Sequence, residues 1–209
     1  PNGEMIASAS GDGTVVLSRL QGTIIKTLSP QRGQVYDVEF SPDGKLIAAG
    51  TEQDAVAIWN LEDGTLVKII ETGSDEILDV EFSADGQLIA IGGNDAIVKI
   101  WKTDGAEVAV LQGHFDAVRT TEYSHDDQFI ISGSEDGTIR IWKLDNPFAT
   151  RLVGHKNKVY DVDFSPDGKF LLSISLDQTI RHWKTNGKLL NTFQLPDNSN
   201  PLSIQWHPK

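Results

Sequence analysis

Cysteine is absent from the 209 residues of this chain. Its absence excludes disulfide bonds, thiolate metal sites and a cysteine nucleophile, and it favours a reducing compartment, so we expect a cytoplasmic location. Basic residues are also few: 18 lysines and arginines stand against 30 aspartates and glutamates, for a net charge of −12. Because so acidic a surface repels phosphate backbones, we expect no nucleic-acid partner.

Long apolar segments and helical periodicity are missing as well. No apolar run approaches the roughly 20 residues that a membrane helix needs, so we expect no membrane partner. No stretch sustains a 3.6-residue hydrophobic period. Glycine is plentiful, with 19 residues, and short runs of Val, Ile and Thr lie between turn residues. This pattern predicts an all-β domain with a substantial core.

One sequence unit recurs along the chain. Its clearest copy is Ser132–Trp142, in which the turn pair Asp136-Gly137 is followed by alternating apolar residues that end at a tryptophan. Aligned on this last position, the copies are spaced by 41, 42, 41 and 41 residues and end at Ser18, Trp59, Trp101, Trp142 and Trp183. Each period holds four strand-like runs between turn signals, which is typical of a β-propeller blade.

The units resemble WD (tryptophan–aspartate) repeats. The resemblance rests on Gly-His at 113–114 and 154–155, on the turn Phe-Ser-Pro-Asp-Gly at 40–44 and on Ser-Gly-Ser-x-Asp-Gly at 132–137, and it covers essentially the whole chain. The regular Phe-Ser-Pro-Asp-Gly-Lys segment is similar to repeats of bacterial, especially cyanobacterial-type, members. The aspartate that names the family is replaced after every tryptophan of the repeat, by Asn60, Lys102, Lys143 and Lys184.

The resemblance implies one WD-repeat β-propeller domain over residues 1–209, with five blades' worth of four-stranded antiparallel sheets. The repeat units run over about 1–41, 42–83, 84–124, 125–165 and 166–209. The first unit lacks its own innermost strand, and Leu202–Trp206 has the pattern of a further one. We expect part of a seven- or eight-bladed propeller, completed by missing blades or another subunit; a closed five-bladed ring is the alternative.

Two units carry the full set of polar residues that WD repeats join in a hydrogen-bonded tetrad. The resemblance assigns structural tetrads to His114, Ser132, Asp136 and Trp142, and to His155, Ser173, Asp177 and Trp183. A Ser-His-Asp catalytic triad is the competing interpretation. Repetition of the set in successive units fits a scaffold better than one active site, so we expect no catalytic residue, no cofactor and no zinc site.

Carboxylates alternate along the innermost strands. Seven of ten alternate positions are Asp or Glu, among them Asp37, Asp79 and Asp161. We expect these side chains to line the channel of the propeller and to accept hydrogen bonds from neighbouring backbone or from Lys and Arg. The alternative is a cation or basic-peptide site at the channel.

WD propellers usually bind proteins through residues at the start of the innermost strand and just before the turn aspartate. On this chain the resemblance implies a partner face that comprises Tyr36, Leu78, Arg119, Tyr160, Lys158, Glu52 and Glu135. Tyr and Arg often anchor interfaces. We therefore predict a non-catalytic scaffold for a protein or peptide partner.

Two other functional classes have different requirements. A propeller-scaffold enzyme would need paired carboxylates or a metal cluster in one pocket. A glycan-binding propeller would need an aromatic-lined pocket in each blade, and only Tyr36 and Tyr160 begin to supply one.

Overall fold

The computed structural model describes residues 3–206, and these residues form nineteen β-strands in five antiparallel sheets. The first sheet contains β1 (Met5–Ala9), β2 (Val15–Arg19) and β3 (Ile24–Leu28). The second contains β4 (Val35–Phe40), β5 (Leu46–Thr51), β6 (Ala55–Asn60) and β7 (Leu66–Glu71). The third contains β8 (Ile77–Phe82), β9 (Leu88–Gly93), β10 (Ile97–Lys102) and β11 (Glu107–Gln112).

The last two sheets have the same four-stranded plan. The fourth contains β12 (Val118–Tyr123), β13 (Phe129–Ser134), β14 (Thr138–Lys143) and β15 (Asn146–Val153). The fifth contains β16 (Val159–Phe164), β17 (Phe170–Ser175), β18 (Thr179–Lys184) and β19 (Leu189–Gln194). Across residues 3–206 there is no helix long and apolar enough to cross a membrane. The predicted all-β class and the antiparallel four-stranded sheets are confirmed.

The strands of each sheet lie in chain order, because a short turn joins consecutive strands within the sheet. A predicted repeat unit therefore takes three strands from one sheet and the innermost strand of the following sheet, as 42–83 does with β5 to β8. The first sheet has three strands, with β1 at its edge, and residues 202–206 belong to no sheet. Within the described residues, the strand pairing that a closed five-bladed ring requires is absent.

The apolar core lies between neighbouring sheets. One cluster, which includes Ile58 and Ile77, fills the space between the second and third sheets. Equivalent clusters lie between the first and second, the third and fourth, and the fourth and fifth sheets. Because full burial of one such side chain contributes about 1.5–3 kcal/mol, these clusters hold the sheets side by side.

A glycine near the end of the second strand lets the next sheet approach. Gly133 occupies this position in β13, and a Cβ there would lie 2.8 Å from Val159 Cγ1 of β16. The same close approach recurs at Gly50 and Gly92. The glycine of the repeat is thus required by packing between sheets, since any larger residue would collide with a β-branched side chain of the next innermost strand.

Candidate functional site

The first tetrad joins four side chains of the fourth sheet and the loop before it. His114 Nδ1 lies 3.1 Å from Asp136 Oδ2, and His114 Nε2 lies 2.8 Å from Ser132 Oγ. Trp142 Nε1 donates to the same hydroxyl oxygen at 2.8 Å. Every member is satisfied when Nδ1–H donates to the carboxylate and the serine hydroxyl donates to Nε2. Thr138 adds a further hydroxyl bond to Asp136, at 2.6 Å.

The second tetrad has the same geometry in the fifth sheet. His155 lies 3.0 Å from Asp177 and 2.7 Å from Ser173, and Trp183 donates to Ser173 at 2.9 Å. The structure thus brings together all eight residues that the sequence assigned to tetrads, four in each sheet. The repetition at an interval of 41 residues follows from the identical strand register of the two sheets.

Burial and hydrogen bonding set the ionisation of the tetrads. Burial lowers the pKa of His114 and His155, against the opposing effect of their carboxylate partners. Burial by itself would raise the pKa of Asp136, but its hydrogen bonds, that from His114 foremost, hold the pKa well below the usual range. For Asp177 the same competition lowers the pKa to about 2. Near neutral pH we therefore expect a neutral imidazole against an ionised carboxylate.

The tetrads are closed to a substrate. Neither histidine side chain has exposed surface, and Ser132 and Ser173 are fully buried. Each serine oxygen already accepts a bond from a tryptophan N–H. The arrangement contains the residue types of a catalytic triad. Here, however, their hydrogen bonds connect the loop before the innermost strand to the second and third strands of the sheet.

The third sheet has a different polar centre, which the sequence reasoning missed. Ile91 replaces the tetrad serine, and within the described part of the chain Trp101 Nε1 is buried without a partner. Lys99 lies buried on β10 instead, 3.2 Å from Asp95 and 2.8 Å from the Ser74 hydroxyl. In the sequence, the one feature that could have indicated this polar centre is Lys99, which lies between the apolar residues of a predicted central strand.

Five of the seven channel carboxyls accept backbone N–H groups of the innermost segment that follows, and the other two, Glu39 and Glu81, bond each other. We use this name for Asp37, Glu39, Asp79, Glu81, Glu122, Asp161 and Asp163, which lie on β4, β8, β12 and β16. Asp37 accepts from Val80 N–H at 3.0 Å, and Glu122 accepts from Phe164 N–H at 2.8 Å. The pattern continues beyond the last sheet, where Asp161 accepts from Ile204 N–H at 2.7 Å. Carboxylates of one innermost strand thus hold the backbone of the next.

These groups line a cavity of about 450 Å³ that no described Lys, Arg or His side chain borders. Burial raises the pKa of Asp37, Asp161 and, most strongly, the deeply buried Asp79 and Glu81. It raises the pKa of Glu39 to about 7, and burial together with Asp163 raises that of Glu122 to about 9. No metal-binding group of His, Asp and Glu side chains occurs among the residues that the structure describes.

The partner face is built on β-bulges. In each innermost strand the pairing register shifts across one residue, as between Val35 and Asp37 of β4. The unpaired residues at these shifts are Tyr36, Leu78, Arg119 and Tyr160. A bulge bends the strand and re-aims its extra side chain, which here places four variable residues at the same end of their sheets.

Three charged residues of the partner face form one network between the fourth and fifth sheets. Arg119 Nε donates to Glu135 at 2.7 Å, and Lys158 Nζ pairs with the other carboxylate oxygen. Burial opposes ionisation of Glu135, but the bonds from Lys158 and Arg119 hold its pKa below the usual range. Arg119 also lies over the Tyr160 ring, with Cζ 6.0 Å from the centroid. The two cations thus share one anion.

The other half of the partner face is acidic. Burial and the charges of Glu76 and Glu52 raise the pKa of Tyr36, and Glu76 also shares a hydrogen bond with its hydroxyl. Glu52 accepts the Gln34 backbone N–H at 3.0 Å. Leu78 is half-buried on β8 between the two halves. The structure therefore brings the predicted residues together as two groups of opposite charge.

Two further residues lie at this end of the molecule. Glu76, one of the positions that the sequence places just before an innermost strand, contacts Tyr36 and accepts from Asn94 Nδ2 at 2.7 Å. Phe115 lies in the loop before β12 with 79% of its surface exposed. Phe115 was not predicted, because an exposed phenylalanine in a loop gives no signal in the repeat.

Comparison with known families supports the WD-repeat interpretation. Residues 1–85 match the model of the Anaphase-promoting complex subunit 4 WD40 domain, and residues 105–143 and 146–184 match that of the WD domain, G-beta repeat. A 59-residue segment is 32% identical to the Intraflagellar transport protein 122 homolog of Danio rerio; the match covers 28% of this chain and 5% of that protein. Together with the four-stranded sheets, the matches confirm the predicted WD-repeat fold.

Proposed function

We propose that this chain of WD40 repeats is a non-catalytic scaffold that binds a protein or peptide partner on the partner face. WD40 repeats generally mediate contacts between proteins. The observation that carries the proposal is the set of four β-bulges, which direct Tyr36, Leu78, Arg119 and Tyr160 to one end of the sheets. Variable side chains on a rigid framework are typical of a recognition surface.

The composition of the face favours a protein ligand. Tyrosine and arginine are enriched among residues that dominate binding energy, and here Tyr160 and Arg119 already contact each other. An acidic half beside a network with two cations favours a partner with both signs of charge. The net charge of −12 disfavours a phosphate backbone.

The remaining polar clusters act as framework under this proposal. The tetrads are buried, and most of the channel carboxyls bind backbone N–H groups of the following innermost segment. Incubation with glycosidase and lyase substrates should give no turnover. A cytoplasmic location, the bacterial-type character of the repeats and completion by further blades or another subunit belong to the same proposal.

A capture experiment tests the partner face. Wild-type protein and the double variant Arg119→Glu/Tyr160→Ala are immobilised and exposed to extract from the source cells, and captured proteins are compared by mass spectrometry. We expect at least one protein to be lost about tenfold or more from the variant, since buried interface anchors carry about 2 kcal/mol or more. The control is Lys102→Ala, an exposed residue at the end of β10.

The outcome is decisive in both directions. Selective loss with the double variant and retention with Lys102→Ala supports the partner face. Equal capture of every protein by wild type and the double variant contradicts it. A thermal melt checks folding: Lys102→Ala should unfold with the wild type, and the double variant should unfold cooperatively at a somewhat lower temperature, because Arg119→Glu places a second carboxylate beside Glu135.

A further inference from the structure

Phe115 is the most exposed large apolar side chain that the structure describes. Its backbone N–H donates to Asp136 Oδ2 of the first tetrad at 3.1 Å, so the loop that carries the ring is anchored. The equivalent residue 41 positions later is Lys156, whose N–H makes the same bond to Asp177. The backbone conformation therefore does not require an aromatic side chain. An exposed, anchored phenylalanine on a polar surface is typical of a contact site.

Two arginines lie near the loop that carries this ring, and one of them contacts the ring itself. Arg140 of β14 and Arg151 of β15 are directly opposite each other in the strand register. Arg151 Cζ lies 6.0 Å from the centre of the Phe115 ring, and Arg140 donates to the carbonyl oxygen of Gly113. Like charges at directly opposite positions destabilise a sheet unless an anion lies between them. In the fifth sheet Thr192 takes the place of the second arginine.

Two charges act on the Arg140 guanidinium. Burial lowers the pKa of Arg140, the charge of Asp136 opposes this effect, and the charge of Arg151 lowers the pKa to a smaller extent. The Asp136 carboxylate is already bound by His114, Thr138 and the Phe115 N–H. Asp136 and the Gly113 carbonyl thus offset the charge of the half-buried Arg140, whereas Arg151 is exposed and forms no ion pair with another described residue, on a chain whose net charge is −12.

An aliphatic side chain completes the surface. Val153 lies two residues after Arg151 on β15, on the same side of the sheet, and is 65% exposed. We call Phe115, Arg140, Arg151 and Val153 the rim patch. Aromatic and arginine side chains are enriched at interfaces relative to the rest of a protein surface, and guanidinium groups bind carboxylates through paired hydrogen bonds.

We propose that the rim patch is a second contact area for the protein partner and takes an acidic segment that carries an apolar side chain. A carboxylate of the segment pairs with Arg151, and its apolar side chain packs on Phe115 and Val153. The inference rests on the proposed scaffold function. The rim patch and the partner face lie at the same end of the fourth sheet, because Glu135 N–H donates to the Ala117 carbonyl oxygen within the Phe115 loop.

A defined peptide array tests the proposal. It contains three matched sets of 12-residue peptides, in which glutamate alternates with leucine, glutamate with serine, and lysine with leucine. Wild type should prefer the glutamate–leucine set by about tenfold or more over both others. Phe115→Ala should weaken this binding about 30-fold, as expected for an aromatic anchor, and Arg151→Glu should abolish it.

The fifth sheet offers the matched control. Lys156→Ala changes the position equivalent to Phe115 and should alter binding less than about twofold, as expected for a residue outside the contact. The inference is overturned if wild type shows no preference for the glutamate–leucine set, if Phe115→Ala and Arg151→Glu bind like wild type, or if Lys156→Ala weakens binding as much. All three altered side chains are exposed, so folding should be preserved.

The peptide and capture experiments distinguish failure of this inference from failure of the partner-face proposal. If rim variants bind the peptides like wild type while Arg119→Glu/Tyr160→Ala loses captured proteins, the scaffold proposal stands without the rim patch. If rim variants lose the peptides while the double variant captures every protein, the peptide contact stands and the partner face is wrong.

Discussion

The carboxylate of Asp79 accepts hydrogen bonds from both the backbone N–H and the hydroxyl group of Thr121, each at 2.7 Å. The two residues lie 42 positions apart, on the innermost strands of neighbouring sheets. Similar bonds recur from sheet to sheet along the channel. No described cation borders these carboxyls. Protonation or ionisation of each group therefore changes the free energy of unfolding directly.

The channel predicts a loss of stability at alkaline pH. A buried acid whose pKa is raised on folding holds a proton that the unfolded chain releases, so the free energy of unfolding falls as pH rises above the unfolded pKa. The decline starts near the ordinary glutamate pKa of 4.5 and continues through about 7 for Glu39 and about 9 for Glu122. Urea unfolding at intervals across this range measures the slope.

Glu122→Gln isolates one of these groups. The amide is neutral at every pH, and its oxygen can still accept the Phe164 N–H while its NH₂ donates to Asp163. We expect the decline of the free energy of unfolding between pH 7 and 9 to become shallower, by at most about 1.4 kcal/mol per pH unit for one proton. Glu107→Gln is the control, because Glu107 is an exposed residue of β11. An unchanged slope in Glu122→Gln would show that Glu122 is ionised in the folded protein.

Ser132→Ala should break the first tetrad. The change leaves His114 Nε2 and Trp142 Nε1 buried without their shared partner, so we expect a loss of about 2–4 kcal/mol in the free energy of unfolding. Ser8→Ala is the matched control, because Ser8 occupies the same register position in the first sheet but is exposed. Urea unfolding of both variants gives the comparison. Similar small losses for the two would contradict a cooperative tetrad.

Gln178→Gly should stabilise the turn of the fifth sheet. The residue after the turn aspartate has a positive φ, 75° at Gly137 and 64° at Gln178. A positive φ costs a non-glycine residue about 1–2 kcal/mol, which the change to glycine removes. Glycine offsets about 0.5–1 kcal/mol of this gain, because it has more conformational entropy in the unfolded chain. We expect a net gain of about 0.5–1 kcal/mol, and a loss in the reciprocal variant Gly137→Ala.

Thermal and urea unfolding both report this turn. The stabilised and destabilised variants should shift in opposite directions, since they change the same backbone position in successive sheets. A loss of stability in Gln178→Gly would mean that the glutamine side chain makes a contact that outweighs its backbone strain.

Most of the fold was predictable because its signals are local. Turn residues, alternating apolar residues and a tryptophan at an interval of about 41 residues are all read within one sheet, as Ser132–Trp142 shows with the end of β13, the turn and β14. The tetrad residues followed from the same repeat. Lys99 departs from the repeat, so its buried pair with Asp95 was not foreseen.

The site was predictable by position but not by interaction. The repeat identified Arg119 and Glu135 as neighbouring variable positions, yet it did not indicate that Lys158 joins them in one network. Nor did it single out Phe115, since the equivalent residue of the next sheet is a lysine. These relations depend on how loops of successive sheets meet.

Strand order and the antiparallel pairing within each sheet could be read from the sequence, because they depend on hairpins between neighbouring strands, and the tetrad residues followed from the resemblance to WD repeats. The backbone groups that the channel carboxyls bind, and the position of Tyr36, Leu78, Arg119 and Tyr160 at β-bulges, became apparent only in the packed sheets. Bonds such as that from Thr121 to Asp79 span 42 residues along the chain, and they form only when packed apolar clusters bring two sheets together.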